Sequence, residues 1–346
     1  MLPIMRICQR ILALLVVVLL CVGCSSVPSM SYNPWEVISL PTDAKLFDIA
    51  FTDDPKHGFI VGNKATLLET KDAGETWNPI ALQVGDENYR FNAVDFDGNE
   101  GWIAAEPSVL LHTTDEGKTW TSIPLSDKLP GNPVNIVAFG DNKAEMATDV
   151  GAIYRTTDAG KNWKAQVAES EGVVLNIERS KDGRYIAVSG KGNFYSTWAP
   201  GQNAWVQHIR NSSRKVENMG FAQNGQMWML ARGGQVQFSE PNNLEEWQEA
   251  QYPELSTSWG LLDLAYRTPS DVWLSGGSAN LLHSTDGGET WEKDRDVENV
   301  ATNFYKIVFL SPEKGFIIGD RGFLLKYQPD IAPPIESSEA LDDYRD

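Results

Sequence analysis

The eight residues "TTDEGKTW" (113–120) recur as "TKDAGETW" (70–77), "TTDAGKNW" (156–163) and "STDGGETW" (284–291). The tryptophan that closes each phrase keeps a period that outlasts the phrase itself. Trp35, Trp77, Trp120, Trp163, Trp205, Trp247 and Trp291 follow one another at intervals of 42 to 44 residues, although Trp205 and Trp247 end degenerate phrases, "STWAPGQNAW" and "SEPNNLEEW". A period that survives decay of its motif belongs to a structural unit more than to a set of ligand sites.

Each period carries the same run of short strands. In the second, "FNAVDF" (91–96) alternates and is β-prone, Asp97-Gly98 marks a turn, "GWIAAE" (101–106) and "VLLHTT" (109–114) follow, and the phrase leads into "WTSIPL" (120–125). Four strands in about 43 residues, bounded by turn residues and without helical period, define a propeller blade. First strands begin at 46, 91, 134, 174, 216, 261 and 304. The last unit lacks a fourth strand, and the chain opens with an orphan one, "WEVISL" (35–40). The fold expected is all-β: a seven-bladed β-propeller of four-stranded antiparallel blades over 35–328, closed by the N-terminal strand completing the last blade, so that no apolar edge is left free.

The phrase is similar to the Asp-box of sialidases and many unrelated propellers. In each copy the aspartate (Asp72, Asp115, Asp158, Asp286) is expected to accept backbone N–H bonds across the turn between third and fourth strands. The first Thr is expected to donate to a nearby carbonyl, the glycine to take a positive φ, and the tryptophan (Trp77, Trp120, Trp163, Trp291) to bury on the order of 200 Å². Each residue therefore has a structural duty. A sialidase needs an arginine cluster and a tyrosine nucleophile with a carboxylate partner. The Arg-Ile-Pro phrase of those enzymes is missing, as are the phrases of serine hydrolases, zinc peptidases and P-loop enzymes. No enzyme activity, cofactor or metal site is expected; a glycan hydrolase or lectin built on the same propeller is the alternative. His112 and His283 share a third-strand position with Glu69, Arg155 and Lys326, a mixture that suggests a solvated face.

Residues 1–24 combine Arg6 and Arg10 with an apolar run from Ile11 to Val22 and end in Gly23-Cys24. This reads as a lipoprotein signal peptide, with acylation of Cys24 tethering the mature domain to a membrane; an ordinary signal peptide or an uncleaved anchor fits the same pattern. Residues 25–34 read as a linker, and 329–346, Pro-rich and then acidic, as a flexible tail. All three cysteines fall within the signal segment, so the mature domain has neither disulfide nor thiol site. Beyond residue 24 there are 27 Lys and Arg against 47 Asp and Glu. That balance argues against nucleic acid as a partner.

Against this acidic background, residues 206–238 hold four basic side chains and one acidic, Glu217. In a propeller, connections from a fourth strand to the next first strand share a face with turns joining second and third strands. This places Arg90, Arg210, Arg214, Lys215, Arg232 and Arg321 on one rim. Arginine suits bidentate carboxylate contact and stacking at interfaces; pairing with Glu217 and Asp320 is the competing use.

The phrases "NSSRKVENMGF", "WMLARGGQVQFS", "GDRGFLLKY" and "WEVISLP" resemble the photosystem II assembly and stability factors of cyanobacteria and chloroplasts, over residues 32 to 328. The resemblance implies a non-enzymatic lumenal factor on the thylakoid membrane. Such a factor binds newly made reaction-centre polypeptide and early assembly intermediates of photosystem II. It also implies a contact role for Arg210, Arg214, Arg232 and Arg321. A monomer is expected.

Overall fold

The structure, a computed structural model, describes residues 28–331 apart from 83–88, 169–171, 242, 254–259 and 298–299. The signal segment, Cys24 and residues 332–346 of the tail lie outside the described residues.

Seven four-stranded antiparallel sheets are arranged as blades. Six are consecutive in sequence. The seventh takes Phe304–Ser311, Lys314–Gly319 and Phe323–Tyr327 from the C-terminal end and Trp35–Ser39 from the N-terminal end. The closing strand pairs antiparallel, Trp35 opposite Tyr327 and Ser39 opposite Phe323. Trp35 then packs edge-on against Trp273 of blade six and Tyr327 of blade seven, ring centroids 5.2 Å apart in both pairs.

The core is a series of seven apolar clusters, one at each blade-to-blade interface. The cluster joining Ile318 and Leu324 of blade seven to Leu46 and Ile60 of blade one closes the ring. Second strands are covered on both faces, so Gly58–Gly62, Tyr185–Ser189, Met227–Ala231 and Val272–Gly276 are buried throughout. Such strands read as nearly continuous apolar runs instead of alternating ones.

Every first strand carries a bulge at its start. Pairing with the second strand skips Phe47, Asn92, Val134, Leu175, Glu217, Leu262 and Tyr305 in blades one to seven. A bulge re-aims side chains at a strand end. Here it does so at the same end of all seven blades, around the mouth of a central cavity of about 1110 Å³. Inside the cavity wall, side chains staple neighbouring first strands. Asp48 accepts from Val94 N–H (3.0 Å), Asp95 from Ala138 N–H (2.8 Å) and Asp263 from Ile307 N–H (2.8 Å). Lys306 Nζ reaches Asp48 at 2.6 Å.

The Asp-box turns lie at the opposite end and are superimposable in their bonding. The carboxylates of Asp72, Asp115, Asp158 and Asp286 each accept the N–H four residues on, at 2.8–2.9 Å. The leading hydroxyl donates to this carboxylate, as Thr113 does to Asp115 at 2.8 Å, and accepts from the glycine N–H, Gly117 at 3.0 Å. The hydroxyl thus serves its own aspartate, not a carbonyl, because the carboxylate lies inside the same turn and is the stronger acceptor. Two successive residues take positive φ, Glu116 (62°) and Gly117 (80°) in the second blade. The first of them donates its N–H to the turn between first and second strands, Glu116 to Asn99 O at 2.9 Å. The glycine has no room for a side chain: a Cβ on Gly117 would fall 2.4 Å from Phe59 of the preceding blade.

Each period tryptophan clamps onto the preceding blade. Trp77 packs against Phe316, Trp120 against Phe59 and Trp163 against Trp102, centroids 6.0–6.4 Å apart. Trp77 is fully buried, and Trp120, Trp163 and Trp291 are partly buried. In the degenerate blades Trp205 Nε1–H donates to Gly151 O and Trp247 Nε1–H to Tyr195 Oη. The clamp persists without the box, which is why the period outlives the phrase.

Candidate functional site

The face opposite the Asp-boxes is stitched by backbone bonds between its turns and connections. Within a blade, Asn63 N–H donates to Lys45 O and Arg232 N–H to Lys215 O, both at 2.9 Å. Between blades, Ala65 N–H donates to Tyr89 O, Ala279 N–H to Thr302 O and Gly322 N–H to Ala44 O, at 2.6–2.8 Å. Side chains carried by these segments therefore stand on a fixed frame.

Four of the six basic residues read from the sequence come together where blade four passes into blade five. Arg210 donates to Arg214 O (2.7 Å), and Arg214 in turn to Arg232 O (3.1 Å). The Arg214 guanidinium stacks over Tyr252 at 5.0 Å. It lies across Gly233, where a Cβ would fall 2.0 Å from its Nη1. Lys215 is exposed beside it. Arg232 Nε pairs with Glu217 Oε1 at 2.9 Å, yet its side chain remains 65% exposed. Glu217 is the bulged residue of its blade, so the bulge supplies the counter-charge.

Arg90 and Arg321 stand on the same face in other sectors. The Arg90 guanidinium stacks over Phe47 at 4.2 Å. Lys45 Nζ sits over Tyr305 at 3.8 Å. Both rings occupy the bulge position, of blades one and seven. Arg321 is exposed on the blade-seven turn at φ 56°, next to Gly322, whose N–H is bound to Ala44 O. Asp320 accepts from Tyr305 O–H (2.9 Å) and Asn303 (3.1 Å), not from the neighbouring arginine. Sequence reading missed Lys45, Phe47, Tyr305 and Tyr252. Aligning the seven first strands at their second residue would have found Phe47 and Tyr305; nothing in the pattern marks Tyr252.

The third-strand histidines correct an expectation. Two of its members are not solvated: His112 is 8% and His283 2% exposed, whereas Arg155 at the same position is exposed. His112 stacks on Trp102 (4.0 Å) and bonds Glu100 at 2.9 Å. His283 stacks on Trp273 (4.3 Å) and faces Asp271 Oδ2 at 3.2 Å. Burial alone would raise the Asp271 carboxyl, but His283 and Arg267 hold it below its usual value. At both histidines a tryptophan and an acid at or beside the second strand cover the ring, so these two side chains are paired, not solvated. Among the described residues, no group of three or more His, Cys, Asp or Glu is placed to hold a metal.

Fold and face define a class: an Asp-box propeller with seven blades whose loop face concentrates arginines on an otherwise acidic body. Comparison with known proteins narrows it. Residues 27–328 match the family model described as photosynthesis system II assembly factor YCF48. The chain is 70% identical to the photosystem II assembly lipoprotein Ycf48 of Trichormus variabilis, over 94% of this chain and 95% of that one. It is 44% identical to the chloroplastic photosystem II stability/assembly factor HCF136 of Arabidopsis thaliana, over 85% and 79%. A solved structure described as YCF48 bound to D1 peptide superposes with a TM-score of 0.85 at 54% identity, covering 87% of this chain and 99% of that one. YCF48 from Cyanidioschyzon merolae follows at 0.80 and 39%, covering 87% and 100%. A virginiamycin B lyase at 12% identity and a TM-score of 0.67 shares the fold alone. The chain belongs to the Ycf48/HCF136 family of photosystem II assembly factors, which is non-catalytic.

Proposed function

We propose that this chain is a membrane-tethered scaffold that grips newly made reaction-centre polypeptide through its arginine face, in early photosystem II assembly and repair. The observation that carries the reading is the solved relative described as bound to D1 peptide, which matches nearly its whole length to this propeller. The chemistry of the face agrees. Arg210, Arg214, Lys215 and Arg232 form a partly solvated cationic group held by backbone carbonyls and an aromatic ring, with one carboxylate among them. Such a group can take a peptide carboxylate or an acidic segment by bidentate bonds without first breaking a buried structure. Arg90 and Arg321 extend the cationic surface around the cavity mouth. The partner is a segment of a membrane protein on the lumenal side of the thylakoid, where acylation of Cys24 keeps the scaffold, working as a monomer, within reach.

The test is charge reversal. Arg214→Glu with Arg232→Glu is expected to abolish capture of the reaction-centre precursor, while the thermal midpoint stays close to that of the unmodified protein. Undiminished capture by the folded double variant would remove this surface from the reading. The glycan-hydrolase alternative has no support in the family to which the chain belongs.

A further inference from the structure

Two large apolar side chains stand exposed where the chain enters blade four. Val173 is 63% and Leu175 55% exposed. Leu175 is the bulged residue of its first strand. Its counterparts in the other blades, Phe47, Asn92, Val134, Glu217, Leu262 and Tyr305, are all partly covered. The backbone beneath the pair is tied on both sides. Val173 O accepts from Gly190 N–H (2.7 Å) in the turn of the same blade, and Val174 N–H donates to Asp149 O (2.8 Å) of blade three. Single exposed apolar residues are ordinary on a protein surface. A fixed pair beside a charged group is not, and such patches mark contact surfaces.

The turn that holds Val173 also reaches the cationic group. Gly192 O accepts from Val216 N–H at 2.8 Å. A Cβ on Gly192 would fall 3.1 Å from Lys215 Cβ, and one on Gly190 3.9 Å from Val173 Cβ. Gly190 and Gly192 are two residue steps apart, at most about 7 Å. The apolar pair therefore lies within about four residues of extended chain from Lys215. Between the two glycines Lys191 is exposed, a cation that sequence reading passed over. On the far side of the pair, Asp149 Oδ1 accepts from Asn132 N–H at 2.9 Å. Along this arc the rim runs from anionic through apolar to cationic.

We infer that Val173 and Leu175 form a specificity ledge for the peptide that the arginine group holds. The partner that fits carries one compact carboxylate with an apolar side chain within about four residues of it, not a run of acids. The inference rests on the arginine face as the peptide site. A run of acids would lay charge over Val173 and Leu175 and bring it toward Asp149. An apolar side chain there takes both residues out of water and leaves the carboxylate to Lys191, Lys215 and Arg214. The two contributions differ in their response to salt. Apolar burial is not screened, whereas an exposed carboxylate contact weakens as salt rises.

Three N-acetylated peptides of glycine and serine, each ending in a free carboxylate, test this by titration calorimetry against the full chain. One has leucine three residues before its end, the second has serine there, and the third has glutamate at its last four positions. The leucine peptide should bind about tenfold tighter than the serine peptide. That ratio should hold as salt is raised while both affinities fall, and at raised salt the leucine peptide should also outbind the glutamate peptide. Val173→Ser with Leu175→Ser should bring the leucine peptide down to the affinity of the serine peptide and leave the thermal midpoint where it was, both side chains being exposed. Leucine and serine peptides bound alike by the unmodified protein, and both lost in Arg214→Glu with Arg232→Glu, overturn the ledge and leave the arginine reading standing. A glutamate peptide bound tightest at every salt concentration does the same. Undiminished binding of the leucine peptide by the charge-reversed protein overturns ledge and arginine reading together. Binding of none of the three to the unmodified protein overturns the ledge and leaves precursor capture to decide the arginine reading.

Discussion

At one end of the disc, Thr113, Asp115 and Gly117 have counterparts with matching bonds in three other blades. At the other end, Arg214 over Tyr252, Arg90 over Phe47 and Lys45 over Tyr305 differ from blade to blade. Both ends are made of turns on the same frame. The Asp-box end spends its side chains on its own backbone and on the preceding blade. The arginine end is stitched largely by backbone bonds, and the side-chain bonds it adds are not the same from blade to blade. In a repeat protein, then, what recurs holds the blades and what departs from the repeat is available for a partner.

The difference breaks most sharply at Gly117. Replacing it with valine places atoms inside Phe59 and forces a branched residue to positive φ. The expected loss is about 4 kcal/mol, read by urea denaturation. Gly98 has a similar φ, 62°, but nothing within 3.4 Å of a Cβ. Gly98→Ala should therefore cost only about 1 kcal/mol, the backbone part alone. Equal losses at the two positions would mean that the box glycine is not a packing device.

His112 comes next. His112→Ala removes a ring stacked at 4.0 Å on Trp102 and takes one donor from buried Glu100, which keeps Trp102 Nε1–H and Asn142 N–H. A loss of about 2 kcal/mol is expected. A change within error would return the third-strand position to solvent.

Blade count, strand order, ring closure and the box aspartates were legible because each rests on local pattern: turn residues, alternation and a repeated phrase. The histidines were misread for a physical reason. His112 is buried by Trp102 and Glu100, ten and twelve residues away on another strand, and composition at one position does not disclose its cover. The arginines could be assigned to a face from topology. That Arg232 is paired while Arg214 is stacked depends on Glu217, the bulged residue, standing within reach of Arg232. Residues 28–33 carry no sequence signal; their composition is that of a linker, and the bridge from Ser29 to Lys293 is what makes them structure.

Carboxylates in the box and in the channel wall should respond to pH with opposite sign. The Thr119 hydroxyl, then its N–H, hold Asp115 below the usual carboxylate range. Its contribution is present above the unfolded value near 4 and is lost as pH falls through the lower folded value. Burial pushes Asp95 up to about 7, against the Ala138 N–H that favours its charge, and Asp263 up to about 6, against the Ile307 N–H. Their contribution is complete below about pH 4 and is lost as pH rises through 6 to 7. Asp115→Ala should cost about 1 kcal/mol at neutral pH and progressively less in acid. Asp95→Asn should flatten the decline in stability between about pH 4 and 7. A decline that is unchanged in Asp95→Asn would assign it to other groups.

The smallest effect is the one that separates the two ends of the disc most cleanly. Arg214 donates to the Arg232 carbonyl in an exposed loop, and its stacking over Tyr252 is open to water. The Arg232–Glu217 pair is solvent-exposed and so is worth at most about 0.5 kcal/mol. Arg214→Ala and Arg232→Ala should each leave the denaturation midpoint nearly where it was, an order of magnitude below Gly117→Val. If the arginine face were a structural device of the same kind as the Asp-box, these truncations would unfold the blade-five edge and cost as much as Asp115→Ala. Stability untouched alongside lost peptide capture is the combination that only a surface kept free of structural duty can give.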